Sequence, residues 1–325
     1  MRAHRLAAVL LALSSWSAVA CRGQVSLGDR EADAGAPPPV DRVVCPAAPA
    51  DPVTLAEPDV SLGAIRSLAA YGGSVYALFE RGATTSLVLA RIASGGGVVD
   101  LAALGNGASS MAAGPDAVFV AVEREIYRVP ATGGVTSVRA EGPPSSITYG
   151  NGTVFWAVAA DGRVFAWDAR GASAPSSLGS IPAPVSSLVF GRGVLYGAGA
   201  RVSSLDALGG APRAWTDRCG AGRVAPALYE DAVVCASSGQ VLRVRGSGEV
   251  RALPDQPGAV DVFASAGRAV WRRAGGGADA IVGAPLDGVG ADTVIVSEPA
   301  GIGALTTDGC AAYYTSARRV VRRAL

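Results

Sequence analysis

Residues 149–171 read YGNGTVFWAVAADGRVFAWDARG. Two short apolar runs stand here, each opened by a tight-turn signal. Gly150-Asn151-Gly152 supplies the positive φ angles that a two-residue hairpin requires, and Asp161-Gly162 does the same before the second run. The stretch is either an isolated hairpin or one copy of a repeat, and the rest of the chain decides between them.

An apolar residue about four places before each such turn serves as a marker. The markers are Leu68, Met111, Ile147, Leu188, Leu228, Val262 and Leu305, separated by 43, 36, 41, 40, 34 and 43 residues. Turn signals follow at Gly72-Gly73, Gly114-Pro115-Asp116, Gly150-Asn151-Gly152, Gly191-Arg192-Gly193, Glu230-Asp231, Ala266-Gly267 and Asp308-Gly309. A second apolar run then begins at Val75, Val118, Val154, Val194, Val233, Ala269 and Ala312, a third follows in every copy, and a fourth in most. Four short strands at this period predict an all-β protein, a seven-bladed β-propeller of four-stranded antiparallel blades. No single sheet buries both its faces, whereas sheets packed radially share one continuous core. Trp156, Tyr196, Trp271 and Tyr314 are read at one equivalent place in the second run, packing between blades. The seventh copy ends after its third run. Asp51-Pro52-Val53-Thr54-Leu55-Ala56-Glu57-Pro58 looks like the missing fourth strand, so pairing of Val53–Ala56 with Val320–Arg323 is expected to close the ring and cap its open edges.

Composition narrows the chemistry. The chain of 325 residues has 28 basic and 27 acidic side chains, a balance without the basic footprint of a nucleic-acid binder. It contains no lysine, so every counted base is arginine, and its one histidine is His4. Schiff-base lysine chemistry is excluded, and a chain cut after the N-terminal segment lacks the commonest general base and metal ligand. Asn106 and Asn151 are the only asparagines, both between glycines. Asn151-Gly152-Thr153 matches a glycosylation sequon but is read as a hairpin turn.

The N-terminus reads as an address. Arg2 and Arg5 precede the apolar run Leu6–Ala20, which ends in small residues, so residues 1–20 are expected to be a signal peptide. Ala18-Val19-Ala20-Cys21 resembles the lipobox of bacterial lipoproteins. That resemblance implies acylation of Cys21, and Arg22, which is not aspartate, implies outer-membrane sorting; simple cleavage after Ala20 is the alternative. Residues 21–44, rich in Pro, Ala and Gly, read as the lipidated cysteine and a flexible tether, and residues 45–325 as the propeller. The expected location is the bacterial periplasm or cell surface, with membrane contact through the lipid anchor only.

Cys45, Cys219, Cys235 and Cys310 remain, and an exported chain with an even number permits two disulfides in three pairings. Cys219 precedes the first strand of blade five and Cys235 lies in its second, so Cys219–Cys235 is expected. Cys45 lies before the closing strand and Cys310 at the second strand of the same blade, so Cys45–Cys310 would staple the ring. Free buried thiols are the alternative.

Val154-Phe155-Trp156-Ala157 and Ala312-Tyr313-Tyr314-Thr315 are similar to YWTD repeats. Residues 162–169 and Val202–Ala207 through Trp215 resemble quinoprotein-type repeats, in which a glycine and a tryptophan dock adjacent blades; Gly210 and Trp215 would take those parts. One such family, lipoproteins assisting outer-membrane protein assembly, implies eight blades against the seven counted. Quinoprotein dehydrogenases imply a calcium site and often vicinal cysteines, and lactonase-like propellers imply calcium with histidines; neither set is present, and no cofactor or metal is expected. The expected function is therefore non-catalytic binding of an unknown protein or other ligand on one flat face by a monomer. The alternative is a propeller hydrolase or lyase with a carboxylate site in the central funnel, for which Asp161, Asp206, Asp261 and Asp308 are candidates, each also read as a turn or strand-end residue.

Overall fold

The computed structural model describes Cys45 and residues 51–325, apart from 58–61, 82–85, 94–95, 171–172, 220–221, 228–230, 254–257, 266 and 276. The readings that fall on His4, Cys21, Leu228, Glu230 and Ala266 lie outside these described residues.

The chain is a seven-bladed β-propeller. Every sheet has four strands in up-and-down antiparallel order. Blade one is Leu62–Tyr71, Ser74–Arg81, Ser86–Ile92 and Val98–Leu104; blade two is Ala108–Ala113, Ala117–Val122, Glu125–Pro130 and Thr136–Arg139. Blade three, which contains residues 149–171, is Pro144–Gly150, Thr153–Val158, Arg163–Asp168 and Ser176–Ser180. Blade four is Ser187–Gly191, Val194–Ala198, Val202–Asp206 and Arg213–Thr216; blade five is Val224–Pro226, Ala232–Ser237, Gln240–Arg245 and Val250–Ala252. Blade six is Ala259–Ser265, Arg268–Arg273, Asp279–Pro285 and Thr293–Glu298. Blade seven is Leu305–Thr307, Ala311–Ser316 and Arg319–Ala324, completed on its outer edge by Val53–Ala56. The closing register is the expected one, with Val53 opposite Arg322 and Ala56 opposite Val320.

The strands exist because alternation works on both faces at once. Along each second strand, odd and even positions enter different seams, and both seams are filled by buried side chains. Phe155 and Ala157 pack towards blade four with Leu188 and Leu195. Val154 and Trp156, between them, pack towards blade two with Phe119 and Ala121. Each of the seven seams holds one such cluster of buried side chains. The seam that closes the ring gathers Leu55 and Ala56 from the N-terminal strand with Val75, Phe79, Tyr313 and Val320. Burial of a side chain of this size stabilises by about 1.5–3 kcal/mol, so the short closing strand contributes well beyond its backbone bonds.

Two readings need correction. Hairpin register places Ile147 opposite Trp156, and the same place in blade five belongs to Val224, opposite Cys235, not to Leu228. Ala227 and Ala232 are joined by a backbone bond there, whereas blade three turns directly from Gly150 to Thr153. The longer turn displaced the sequence marker. Second, Tyr196 is not equivalent to Trp156. Gly191 pairs with Val194 as Gly150 pairs with Thr153, so Tyr196 takes the place of Phe155 and faces blade five; Gly197 takes the Trp156 place. Trp271 and Tyr314 do share the place of Trp156. A one-residue offset in a strand reverses the face.

The blades are also latched by polar groups. Near the axis, the Ser110 hydroxyl accepts the Ile147 N–H at 3.1 Å, Ser146 accepts that of Leu188 at 2.9 Å, and Thr148 accepts that of Phe190 at 3.2 Å. At the periphery, guanidinium groups of one blade reach turn carbonyls of the next: Arg128 to Ala169, Arg213 to Gly246, and Arg251 to Asp287 and Gly288. Between blades three and four, the Gly210 N–H donates instead to the Leu178 carbonyl at 3.1 Å. Trp215 donates to Ser204 and meets Tyr196 edge-on in the seam towards blade five. Glycine is required at position 150, where a Cβ would fall inside the Phe190 ring of the next blade.

Both expected disulfides are present. Cys45 is bonded to Cys310, which immediately precedes the second strand of blade seven, and Cys219 to Cys235.

Candidate functional site

The innermost strands of all seven blades surround one cavity of about 260 Å³ on the propeller axis. Its wall is unequal. On one side stand Ser67, Ser110, Ser146 and Ser187, from blades one to four; they hold one register position, opposite Leu78, Ala121, Ala157 and Ala198. On the other side, blades five to seven contribute Arg223, Val224, Val262, Phe263, Leu305 and Thr306.

A bulge recurs where these strands begin. Register slips by one residue between Ile65 and Ser67, Ala108 and Ser110, Pro144 and Ser146, and Val260 and Val262. The extra residues are Arg66, Ser109, Ser145 and Asp261. A bulge leaves its residue unpaired and re-aims the side chain, which is why such positions gather next to sites. All lie in the half of the strand remote from the first hairpin, where Ser109 and Ser145 line the mouth of the channel and Asp261 stands beside Arg223. Asp261 has a φ of 43° in the left-handed region, which a residue with a Cβ enters at a cost that is smaller for aspartate than for most. That conformation delivers its carboxylate to two guanidinium groups, 3.5 Å from Arg223 and 3.2 Å from Arg272. Arg272 also donates to the Ile302 carbonyl, and Asp279 accepts the Ile302 N–H at 2.9 Å. Arg223 lies over the Phe263 ring, 5.4 Å from its centroid, with its side chain 52% exposed.

The four aspartates singled out in the sequence do not meet. Asp161 accepts from the backbone N–H and side chain of Arg163, contacts that hold its carboxyl below the usual range. Asp206 accepts the Leu208 N–H in its own turn. Asp308 accepts from Cys310, Ala311, the Tyr313 hydroxyl and Gly73 of blade one. Asp261 alone stands at the channel mouth, between its two arginines. Among the described residues, no group of three His, Cys, Asp or Glu side chains is placed to hold a metal ion. Asn151 is an exposed residue at the tip of its hairpin, with a φ of 49°.

Sequence reasoning missed the serine arc and Arg223. The signal was present, since a serine immediately precedes the marker in four successive copies, at Ser67, Ser110, Ser146 and Ser187. Arg223 had no such signal, because the marker of its own blade was displaced.

No family model matches this chain, and no curated protein sequence does. Solved structures do. A catalytically inactive His-to-Ala variant of virginiamycin B lyase from Staphylococcus aureus, crystallised with quinupristin, superposes with a TM-score of 0.66 at 14% identity, covering 85% of this chain and 99% of the lyase. The WD40 β-propeller domain of Doa1 gives 0.60 at 13% identity, covering 79% of this chain and 91% of the domain. BamB from Moraxella catarrhalis gives 0.53 at 17% identity, over 80% of this chain and 85% of BamB. At these identities the likeness is one of fold. This fold hosts catalysis and binding alike, so the residues of the site must decide function.

Proposed function

We propose that this chain is a membrane-tethered extracytoplasmic propeller that performs no chemistry of its own and binds a protein or other ligand on one flat face. The observation that carries the reading is the destination of the candidate carboxylates. Asp161, Asp206 and Asp308 are spent on turns and latches in blades three, four and seven, and Asp261 is spent on Arg223 and Arg272. A carboxylate-based glycoside hydrolase needs two such groups flanking one bond, and these four are dispersed. The lyase among the structural neighbours is inactive as a His-to-Ala variant, whereas the one histidine of this chain is His4.

Export is supported by the basic and apolar start, by the small residues before Cys21, and by the two disulfides, which belong to oxidising compartments. Cys45 is fastened to Cys310 at the hairpin end of blade seven. The bulged mouth lies at the other end, so Cys45 is held on the face opposite Arg223 and Asp261. That arrangement favours the bulged face as the binding face.

The test has two arms. Full-length chain in a bacterial host is expected to incorporate labelled palmitate and to fractionate with membranes, and Cys21→Ala to lose both. A photo-crosslinking residue at Ser109, on the bulged mouth, is expected to capture a discrete adduct that the same residue at Arg192, on the hairpin face, does not. Equal capture at both positions, or palmitate incorporation without Cys21, would sink the proposal.

A further inference from the structure

We infer that the bulged mouth of the channel is a binding site for an oxyanion, a carboxylate or phosphate group, held by Arg223 and an arc of serine hydroxyls. The inference rests on the binding reading above and names the chemistry of its ligand.

The cavity is small, below the roughly 300 Å³ at which drug-sized pockets begin. It suits a small acid or the anionic head of a larger ligand. Its wall is hydroxyl-rich, which argues against an apolar occupant. Two of the hydroxyls have hydrogens to give. Ser110 uses its oxygen to accept the Ile147 N–H, so its own O–H remains a donor. Ser187, only 8% exposed, lines the same cavity at the equivalent register and has no hydrogen-bond partner among the described residues. Ser67 repeats the position in blade one.

The sign of the ligand follows from the charges. No acidic residue lines the cavity, and Arg223 does. The adjacent carboxylate, Asp261, is shared with Arg272, which Asp279 also faces at 4.0 Å, so the two arginines and two aspartates balance and Arg223 is the one charged group among the described residues that reaches the cavity wall. Asp261 engages Arg223 through Nε, at 3.5 Å, which leaves the outer N–H groups of the fork for a second acceptor. Contact with the Phe263 face fixes the plane of the guanidinium. The strained bulge at Asp261 is thus explained as the device that aims Arg223: a carboxylate in an ordinary strand conformation would point to the other face.

The experiment is titration of the full chain with citrate and with inorganic phosphate against chloride at constant ionic strength. Calorimetry and the thermal midpoint are the readouts. Saturable binding and a rising midpoint are expected, weakened about tenfold or more by Arg223→Gln, because a charge-assisted fork is lost. Ser110→Ala and Ser187→Ala should each weaken it about threefold. Arg163→Gln, whose arginine is paired with Glu141 and Asp161 in blade three, should leave it unchanged. Arg223→Lys, which keeps the charge but not the fork, should fall between wild type and Arg223→Gln and guards against a folding defect. A short glycine–alanine peptide with a free carboxyl terminus, set against its amide, separates a partner-borne carboxylate from a free acid: preference for the acid form identifies the former. No saturable response to any of the three probes, or a response that Arg223→Gln leaves intact, overturns the inference. If a Ser109 crosslink still forms under those conditions, the face binds something else and only the anion assignment fails.

Discussion

Blades three and seven have the same four-stranded plan and are assembled in opposite ways. Blade three is one uninterrupted stretch of chain, with Phe155 and Trp156 as the aromatic pair of its second strand. Blade seven joins the two ends of the described chain and carries Tyr313 and Tyr314 at the same places. The added hydroxyls are not idle. Tyr314 donates to Glu298 of blade six at 2.9 Å, and Ser316 donates to the same carboxylate at 2.8 Å. Tyr313 donates to Asp308 at 2.9 Å, and that carboxylate also accepts the Gly73 N–H of blade one. Both seams of the closing blade are therefore fastened by a carboxylate and a phenol, whereas blade three meets blade four through Ser146 and Thr148 on backbone groups. A blade continuous in sequence is held together by its own short turns. One assembled from distant ends needs fasteners placed where it would part.

The largest way to break this comparison is to remove the closing strand. A chain beginning after Glu57 loses Leu55 and Ala56 from the core, the Cys45–Cys310 bond and the cover over Arg319–Ala324. A loss above about 5 kcal/mol is expected, together with aggregation through the opened edge. Urea midpoints equal to those of the longer chain would refute it.

The cysteines sharpen the point. Cys45–Cys310 spans 265 residues and Cys219–Cys235 spans 16. On loop entropy alone their removal costs about 5.6 and about 3 kcal/mol respectively. Cys45→Ser should therefore lower the urea midpoint more than Cys219→Ser. The reverse order would mean that closure is not where stability is concentrated.

The smallest effect concerns pH. Burial, then the nearby Asp308 carboxylate, pushes the Tyr313 hydroxyl up to about 12, and burial with the Glu298 hydrogen bond raises that of Tyr314 further. A phenol held neutral in the fold stabilises fully below its unfolded value of about 10 and loses that contribution as pH rises through its folded value. Thermal midpoints should fall between about pH 10 and 12, and Tyr313→Phe and Tyr314→Phe should each flatten that fall. An unaltered alkaline limb in both variants would show that the phenol latches do not set the closure.

Much of the molecule was legible from particular residues. Gly150-Asn151-Gly152 and its counterparts in blades one, two, four and seven marked the first hairpins, and Val53–Ala56 was recognisable as a fourth strand because the seventh copy lacked one. The same positions made Cys219–Cys235 and Cys45–Cys310 readable. Leu228 and Tyr196 were misplaced for one reason: each assignment needed a register that turn length alters by one or a few residues.

Repetition of turn chemistry at a fixed period therefore determined the number of blades, their strand order and the closure, because those depend on local backbone preference and alternation. The tertiary structure decided which side chains face the axis. A bulge shifts a strand by one residue and sends its side chain to the other face, and nothing in the local sequence announces it. Only the packed ring brings Ser110, Ser187, Arg223 and Asp261, from four different blades, to one mouth.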